Sequence, residues 1–228
     1  MESNTSKKIK ILVSSCEYGD FSFVGHQDES HSIDGYEVRS IIHTDDESFL
    51  SRDSIHPRMC GKINRMMNWS FYPGYDYYVW KDSRIFFHSL AHIVDFVSCL
   101  EKDVGFFKHR FNSSLIDEFN HVNQMKDNEY IKSRYSIKTM QSQVNHYVNE
   151  GVSQADHFET GLFVFSKNLV SNDTDNLMRH WLTETMIWSE NDQISLPYSI
   201  HKTQTDYQVF EGDVLNNRWT FHDYSGYK

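Results

Sequence analysis

One carboxylate, Asp82, stands in the middle of the aromatic and β-branched stretch YDYYVWKDSRIFF, which spans residues 75–87. Lys81 precedes it directly, and Arg84 follows two residues later. A buried carboxylate is costly unless it is ion-paired, hydrogen-bonded or bound to a metal. Two interpretations follow. Either Asp82 is a turn residue paired with Lys81 or Arg84, or it is an acid at a strand end that binds a ligand or a metal ion.

Polar residues that could do chemistry also follow other predicted strands. In a mostly parallel sheet, ligands bind at the carboxyl ends of the strands. The segments to consider are therefore Ser14–Ser15, Thr44–Asp45, Asp82–Ser83–Arg84 and Lys108–His109–Arg110. For Ser14 and Ser15, an ordinary loop or a helix cap is the alternative interpretation.

The elements that position these residues alternate between strands and helices. Short β-rich runs predict strands at 8–15, 37–46, 76–80, 84–88, 103–109 and 160–168. Apolar residues at helical spacing predict helices at 56–69, 89–102, 174–188 and 191–202, and mostly helix over 114–149 with a break near 127–130. Ser89 and either Asp173 or Thr174 are predicted caps, Pro197 is predicted to end or bend the last helix, and the tail reads as a loop. This order predicts an α/β protein with a mostly parallel mixed central sheet flanked by helices.

Composition indicates a single globular domain in a reducing compartment. The chain has 228 residues, 15% of them aromatic, which suffices for one core. Its net charge of −10 does not favour binding to nucleic acid. Three cysteines without a CxxC motif argue against a disulfide framework or a zinc knuckle. There is no apolar segment typical of a signal peptide or of a spanning helix of about 20 residues. We therefore expect a cytoplasmic protein, with peripheral attachment at the inner membrane surface left open.

Five segments, in order along the chain, resemble the TOD/MUCI-type glycosyltransferase-like family. They are a strand ending in Thr44–Asp45, Lys62 shortly before the W-x-D segment Trp80–Asp82, Lys108–His109 with Glu118 following, Gly161–Leu162, and Trp181 followed by Asp192–Gln193–Ile194–Ser195. The stretch VWKDSRIFF is also similar to the hydrophobic-DxD-hydrophobic motif of GT-A nucleotide-sugar transferases. The resemblance implies a GT-A-like single domain over residues 1–228 and sugar transfer from a nucleotide diphosphate donor.

The resemblance implies a nucleoside site at the ends of the first two strands. Ser14, Ser15 and Tyr18 would hold the nucleoside, and Tyr18 is a candidate for stacking on the base. Asp45 would accept hydrogen bonds from the base or the ribose.

The resemblance also implies a metal site at Asp82, with one departure from the family pattern. Arg84 takes the place of the second DxD acid, and a guanidinium cannot ligate a divalent ion, although it pairs well with phosphate oxygens. Either Asp82 holds Mn²⁺ or Mg²⁺ with help from elsewhere, or Arg84 replaces the metal, or Arg84 points away on the pleat. His222, near the C-terminus, is the implied second metal ligand, with Asp223 as a neighbouring alternative and an ordinary surface histidine as the structural interpretation.

Basic residues are expected to neutralise the diphosphate that leaves during glycosyl transfer. The candidates are Lys62, Lys108, His109 and Arg110, and a solvated helix lysine is the alternative for Lys62. The family pattern has an arginine where this chain has Asn112, and Arg110 is the candidate substitute.

The segment Asp192–Gln193 resembles the DQ segment of retaining glycosyltransferases such as family 8, where the acid and the amide contact the transferred sugar. If the enzyme inverts, Asp192 is instead the general base that accepts the acceptor's proton. A structural alternative is that Asp192 offsets the dipole of its helix. Glu159 and Gly161 are expected at the acceptor or the sugar.

The sequence thus predicts a glycosyltransferase, with retention favoured. It would move a hexose or pentose from a nucleotide sugar, a UDP-sugar by default, to a glycan or another hydroxyl acceptor, as in polysaccharide biosynthesis. A nonenzymatic sugar- or nucleotide-binding protein with a degenerate site stays open because of Arg84. A phage-type DNA-modifying transferase is disfavoured by the net charge, and a nucleotidyl-transferring relative by the lack of a second acid at position 84. The oligomeric state is left open.

Overall fold

The computed structural model describes residues 7–18, 29–45, 55–153 and 155–223. The strands are β1 Ile9–Glu17, β2 Glu29–Ile33, β3 Tyr36–Thr44, β4 Tyr77–Lys81, β5 Ile85–Phe87, β6 Val104–Lys108, β7 Phe158–Ser166, β8 Gln208–Phe210 and β9 Thr220–His222. The helices are α1 Pro57–Phe71, α2 Leu90–Ser98, α3 Leu115–Gln124, α4 Glu129–Lys132, α5 Ile137–Asn149, α6 Leu177–Ile187 and α7 Asp192–Thr203. None of the helices in these ranges has both the length and the apolar character that crossing a bilayer requires.

Within the described ranges, seven strands form one mixed sheet in the order β2-β3-β1-β4-β7-β6-β8. β1 pairs in parallel with β3 and β4, and β6 pairs in parallel with β8. β2 is antiparallel to β3, and β7 is antiparallel to both β4 and β6. β1, β3, β4, β6 and β8 therefore run in one direction, and β2 and β7 run against them. This confirms the predicted α/β class with a mostly parallel mixed sheet.

The strands that share a direction end on one side of the sheet. We call this side the carboxyl edge and define it by the last residues of β1, β3, β4 and β6, which are Glu17, Thr44, Lys81 and Lys108. Because β7 runs the other way, it begins at this edge. Loops and helix starts that follow these strands therefore meet here, as the sequence predicted.

Both faces of the sheet are covered by apolar layers. Leu12 and Trp80 face a layer built from α1, α6 and α7, whereas their neighbours Ile11 and Val79 face a layer built from α2 and the segment after β8. This alternation is the two-residue period of a pleated strand with both faces buried. A third apolar cluster joins α3, α5 and α7 beside the sheet.

A glycine in β6 allows one of these layers to close. A Cβ added at Gly105 would lie 2.4 Å from Cε2 of Phe210. Phe210 is itself buried against Phe96 and Trp219, with ring centroids 4.8 Å and 5.5 Å away, so its ring has no space to retreat. We expect Gly105→Ala to lower the free energy of unfolding in urea by about 1–3 kcal/mol.

Phe210→Leu, which replaces the ring with a smaller side chain, is the control variant for the clash between the new methyl group and Phe210. The double variant should lose less stability than the sum of the two single variants, because the leucine makes room for the new methyl group. Strict additivity of the two losses would show that the predicted clash with Phe210 does not occur.

The structure differs from the sequence-based boundaries at several points. β1 continues to Glu17, so Ser14 and Ser15 lie inside the strand and do not follow it. The predicted strand at 84–88 exists as β5, but it leaves the main sheet and pairs antiparallel with β9, in the tail predicted as a loop. β2 lies in a part of the chain for which no element was predicted.

The predicted helix caps are only partly right. Ser89 occupies the cap position of α2, but its side chain makes no capping bond to the helix backbone. The predicted caps Asp173 and Thr174 of α6 are wrong, because Asn176 fills that position and accepts a hydrogen bond from Arg179 N at 3.1 Å. Pro197 lies inside α7, which continues to Thr203 without ending there.

Candidate active site

Four charged side chains meet at the carboxyl edge and form what we call the charged quartet: Lys62, Arg65, Asp82 and Asp192. Lys62 Nζ lies 2.5 Å from Asp192 Oδ1. Arg65 bridges the two acids, because its Nη1 donates to Asp192 Oδ2 and its Nη2 lies 2.7 Å from Asp82 Oδ1. The quartet joins a helix, a strand end and a second helix through two positive and two negative charges.

Local structure fixes the helices that carry the quartet. Lys62 and Arg65 are three residues apart on α1, so they lie on the same face of that helix. α7 begins at Asp192 because Asn191 caps it and accepts a hydrogen bond from Gln193 N at 3.2 Å. The indole of Trp181 donates to the backbone carbonyl of Asp192 at 2.8 Å and anchors this helix start from α6.

In the W-x-D segment, the tryptophan two residues before the aspartate helps to orient its carboxylate. Trp80 and Asp82 are two residues apart and face the same side, and the indole Nε1 of Trp80 donates to Asp82 Oδ1 at 3.2 Å. The guanidinium of Arg65 lies over the Trp80 ring, 5.1 Å from its centroid. The backbone N–H of Asp82 donates to the carbonyl of Gly161 at 2.7 Å. Strand β4 therefore delivers an oriented carboxylate to the carboxyl edge.

Burial and pairing set the charge states of the quartet. Burial alone would raise the pKa of Asp192, but Lys62 and Arg65 outweigh it and lower that pKa. Burial lowers the pKa of Lys62, and Asp192 works against this effect. Burial would also lower the pKa of Arg65, but the carboxylates of Asp192 and Asp82 outweigh it and raise the pKa.

The two acids of the quartet differ in what they can contact. The side chain of Asp192 is 4% exposed and both of its oxygens are ion-paired, whereas that of Asp82 is 50% exposed. Asp82 Oδ2 accepts no hydrogen bond from the described residues. Asp82 is therefore the acid that can meet a ligand, and Asp192 holds the two cations.

Arg84 and His222, predicted to lie near Asp82, are brought to its side of the edge by the small β5–β9 sheet. Ile85 pairs with His222, and the backbone N–H of Asp223 donates to the carbonyl of Arg84 at 3.0 Å. Burial and Arg84 lower the pKa of His222, and Asp82 works in the opposite direction. Asp82 Oδ2 and the His222 ring are thus the two groups that could hold a metal ion here, with Arg84 beside them.

Of the four predicted nucleoside residues, Tyr18 and Asp45 follow β1 and β3 as expected, whereas Ser14 and Ser15 lie inside β1. Ser14 lies in the sheet, where its hydroxyl accepts from Asn68 Nδ2 at 2.8 Å, so it does not line the edge. Ser15 is also buried, and its hydroxyl has no hydrogen-bond partner in the described part of the chain. Tyr18 follows β1 and is 5% exposed, with its hydroxyl accepting from Asn64 Nδ2. Asp45 directly follows β3 and is half-buried.

His109 lies away from the quartet, facing the carboxylate of Glu118. His109, Glu118 and His157 are the one group of three or more potential metal ligands found in the described residues, with ligand atoms within 4.8 Å of one another. His109 Nδ1, however, accepts hydrogen bonds from the backbone N–H groups of Phe111 at 3.2 Å and Asn112 at 3.0 Å. The neutral ring therefore carries its proton on Nε2, the atom that faces Glu118. A metal-bound histidine donates from its other nitrogen, so His109 does not fit a metal ligand.

Glu159 also points away from the quartet. Its Oε1 accepts from Arg110 Nε at 2.9 Å, and its Oε2 accepts from the backbone N–H of Val214 at 3.2 Å. The side chain is buried, so it ties the segment after β8 to β7. Arg110, the candidate substitute for the family's arginine, forms an ion pair with Glu159.

Sequence reasoning proposed neither Arg65 nor Lys81 as a site residue, although it named Lys81 as a possible ion-pair partner of Asp82. Arg65 is the hub of the quartet, and the available signal was a charged residue inside the apolar helical run NRMMNW. Lys81 ends β4, and its Nζ is buried without a hydrogen-bond partner in the ranges described. Burial lowers the pKa of Lys81 to about 8, although the carboxylates of Asp82 and Glu17 act to raise that pKa.

Comparisons with known proteins identify one family. The family profile for the TOD1/MUCI70, glycosyltransferase-like domain matches residues 41–218. No curated protein matches the chain. Among solved structures, the apo crystal structure of mouse xyloside xylosyltransferase 1 is similar, with a TM-score of 0.40 and 9% identity. That likeness covers 76% of this chain and 63% of the mouse chain, so less than two thirds of the mouse protein is represented.

Proposed function

Since this chain belongs to the TOD1/MUCI70 glycosyltransferase-like family, we propose that it is a single-domain, GT-A-like enzyme that moves a sugar from a nucleotide diphosphate donor to a hydroxyl of a glycan acceptor. The observation that carries the proposal is the charged quartet, in which Asp82 alone is half exposed at the end of β4. A UDP-sugar is the default donor.

The quartet suits the charge that develops when a nucleotide sugar breaks. The bond between the sugar and the diphosphate breaks, and negative charge grows on the leaving phosphate. Lys62 and Arg65 place two positive charges next to Asp82, and such pre-positioned charges are most effective in a buried, water-poor site. We infer that the diphosphate binds on the exposed side of Asp82, facing these cations.

A metal ion and Arg84 are the two candidate partners of the diphosphate on the other side. Asp82 Oδ2 and the His222 ring would hold Mn²⁺ or Mg²⁺, and a carboxylate with an imidazole suits Mn²⁺ better than Mg²⁺. The metal would supply further neutralisation of the leaving phosphates. Arg84, beside His222, would supply a bidentate guanidinium in its place.

Asp192 fits a supporting role better than a proton-accepting role. A general base needs a free oxygen near the proton it removes and a pKa near the working pH. Both oxygens of Asp192 are engaged by Lys62 and Arg65, and its pKa is lowered. This argues against an inverting mechanism that uses Asp192 as the base. We therefore favour retention, with Gln193 contacting the transferred sugar.

Thermal stabilisation by nucleotides tests the proposal. UDP, GDP, CMP, dTDP and ADP are added singly, each with and without Mn²⁺, and the melting temperature is measured. A ligand at 100 times its dissociation constant adds about 2.7 kcal/mol to the stability, so we expect a clear shift with one nucleotide. Release of free sugar from the matching nucleotide sugar then distinguishes an enzyme from a binding protein.

The outcomes separate the candidate roles. A shift that requires Mn²⁺ and is lost in His222→Ala supports the metal, and a shift that is independent of Mn²⁺ and lost in Arg84→Ala supports the guanidinium. Binding without sugar release would favour the nonenzymatic alternative. If no nucleotide shifts the melting temperature, the proposed function is wrong.

Gly161 gives a second test, because its missing side chain leaves room for the Asp82 carboxylate. A Cβ at position 161 would lie 3.0 Å from Asp82 Oδ2 and 3.5 Å from Cδ1 of Ile85. We expect Gly161→Ala to displace the carboxylate and weaken nucleotide binding about tenfold, with the free energy of unfolding changed by less than about 1 kcal/mol. Isothermal titration with the nucleotide found above measures the affinity, and an unchanged value would argue against ligand contact by Oδ2.

A further inference from the structure

Glu118, on α3, joins four separate segments near the carboxyl edge. Its Oε2 accepts from Asn112 Nδ2 at 2.6 Å, in the loop that follows β6. Its Oε1 accepts from Asn191 Nδ2 at 2.9 Å, at the start of α7. His157, just before β7, has its Nε2 3.7 Å from Oε2. Only 5% of the residue is exposed, so its carboxylate is largely shielded from bulk solvent.

The bond to Asn191 connects Glu118 to the quartet. The amide of Asn191 has two functions, because Oδ1 caps α7 by accepting from Gln193 N and Nδ2 donates to Glu118. Asp192 and Gln193 follow directly. Fixing the Asn191 amide therefore fixes the first turn of the helix that holds Lys62 and Arg65 in place.

The two histidines are placed to compensate the buried carboxylate. The side chain of His157 is fully buried, and neither ring nitrogen has a hydrogen-bond partner among the described residues. Buried polar atoms without partners are rare in native structures and call for a bridging water or an ion. His109 Nε2, which carries the ring proton, lies 3.9 Å from Glu118 Oε2. One water between the three groups could bridge His109 Nε2, His157 Nε2 and Glu118 Oε2, since such waters typically make two to four hydrogen bonds.

Glu118 is held in its charged form by these neighbours. Burial alone would raise its pKa, but the nearby His157 ring and the hydrogen bonds from Asn191 and Asn112 lower it to about 2. The carboxylate is thus a permanent acceptor at neutral pH, as a fixed anchor requires.

We propose that Glu118 is a positioning residue that orients Asn191, and through it Asp192 and Gln193, and that His109 and His157 serve this carboxylate and contact neither donor nor metal. The proposal rests on the proposed function for its effect on sugar transfer, but the positioning itself is independent of it. It also gives His109 a role other than neutralising the diphosphate.

Hydrogen exchange of the full chain tests the positioning without any ligand. Backbone exchange is compared by mass spectrometry in the wild type, Glu118→Ala and Glu118→Gln. We expect exchange over residues 191–196 to rise at least tenfold in Glu118→Ala, while the central sheet stays protected. Glu118→Gln should keep most of the protection, because its amide oxygen can still accept from Asn191.

Asp117→Asn is the matched control. Asp117 is the neighbouring acid on the same turn of α3, but it accepts from Ser113 and Ser114 at the start of its own helix. We expect it to leave exchange over residues 191–196 unchanged. The proposal is overturned if this segment stays protected in Glu118→Ala, or if all regions lose protection together, which indicates a general structural role.

Metal analysis and kinetics complete the test. Elemental analysis of the purified wild type and of Glu118→Ala should find the same metal content, and a bound metal that disappears in Glu118→Ala would overturn the assignment of the histidines. If UDP-glucose is hydrolysed by the wild type, Glu118→Ala should lower kcat at least tenfold while the dissociation constant of UDP changes less than twofold. If the wild type hydrolyses neither UDP-glucose nor a sugar donor of any nucleotide that binds, the proposed function fails, and the exchange result still decides the positioning.

Discussion

Arg65→Ala is expected to abolish sugar transfer and to lower the free energy of unfolding by about 3–5 kcal/mol. Removing the guanidinium leaves Asp192, whose side chain is 4% exposed, with Lys62 as its single cation, and leaves Asp82 without its ion-pair partner. Breaking a buried pair by removing one partner is costly because the remaining charge stays desolvated. Urea unfolding measures the stability, and release of sugar from the donor measures the activity.

Arg218→Ala is a control with the same chemistry at the surface. Arg218 lies over Trp219, 4.8 Å from the ring centroid, and pairs with Asp95 at 3.0 Å, much as Arg65 does with Trp80 and Asp82. Its side chain is 63% exposed, compared with 10% for Arg65. We expect a loss below about 1 kcal/mol and no change in activity.

A double variant that removes both charges of one ion pair gives a stricter test. The double variant with Arg65→Ala and Asp192→Asn removes one charge of each sign, so it should recover part of the stability lost in the single variant. It should not recover activity, because the cation that faces the diphosphate is still missing. Recovery of both would mean that Arg65 acts only by balancing Asp192.

The sequence placed Asp82 at the carboxyl end of a strand, and the family resemblance added Lys62 and Asp192 to the same predicted donor site. A parallel sheet brings strand ends to one side, and the predicted helix starts adjacent to that side, so residues far apart in the chain meet there. The family resemblance, confirmed over residues 41–218, strengthened this expectation. The α/β class was predictable from the alternation of strand-like and helical segments, which depends on hydrophobic periodicity.

The features that the sequence did not predict depend on tertiary contacts. Arg65 looked like part of an apolar helix, and only the approach of two acids from β4 and α7 gives it a function. β5 leaves the sheet because its partner β9 lies at the other end of the chain, and local pattern carries no information about such pairing. Pro197 stays inside α7 because burial of that helix on both sides outweighs one lost backbone bond.

Single-residue boundaries were the weakest part of the prediction. Placing the end of β1 at Ser15 made Ser14 and Ser15 look like edge residues, although the strand runs on to Glu17. A shift of two residues keeps the same face of the strand but moves a side chain about 7 Å along it. That distance separates a hydroxyl within the sheet from one at the edge, where a nucleotide could reach it.

Asp82→Asn is expected to reduce sugar transfer by a factor of about 10²–10³, with little change in stability. The carboxamide keeps the size of the side chain and an oxygen that can accept from Trp80 and Arg65. It removes the negative charge that would hold a metal or orient the ribose. Since the side chain is 50% exposed, loss of its ion pair should cost below about 1 kcal/mol. Initial rates of sugar release at saturating donor and urea unfolding measure the two effects.

Asp95→Asn separates a functional carboxylate from a structural one. Asp95 is 51% exposed, accepts from the indole of Trp219 at 2.7 Å and pairs with Arg218 at 3.0 Å, so it shares with Asp82 its exposure, an indole donor and an arginine partner, although Arg218 is exposed and Arg65 is buried. It lies on α2, away from the carboxyl edge. We expect its rate of sugar release to stay within twofold of the wild type. If both variants lose activity equally, the loss comes from disturbed packing around an indole, and the role of Asp82 at the donor must be abandoned. If only Asp82→Asn loses activity, loss of an indole-bound, half-exposed carboxylate is not sufficient by itself, and the position of Asp82 at the carboxyl edge accounts for the effect.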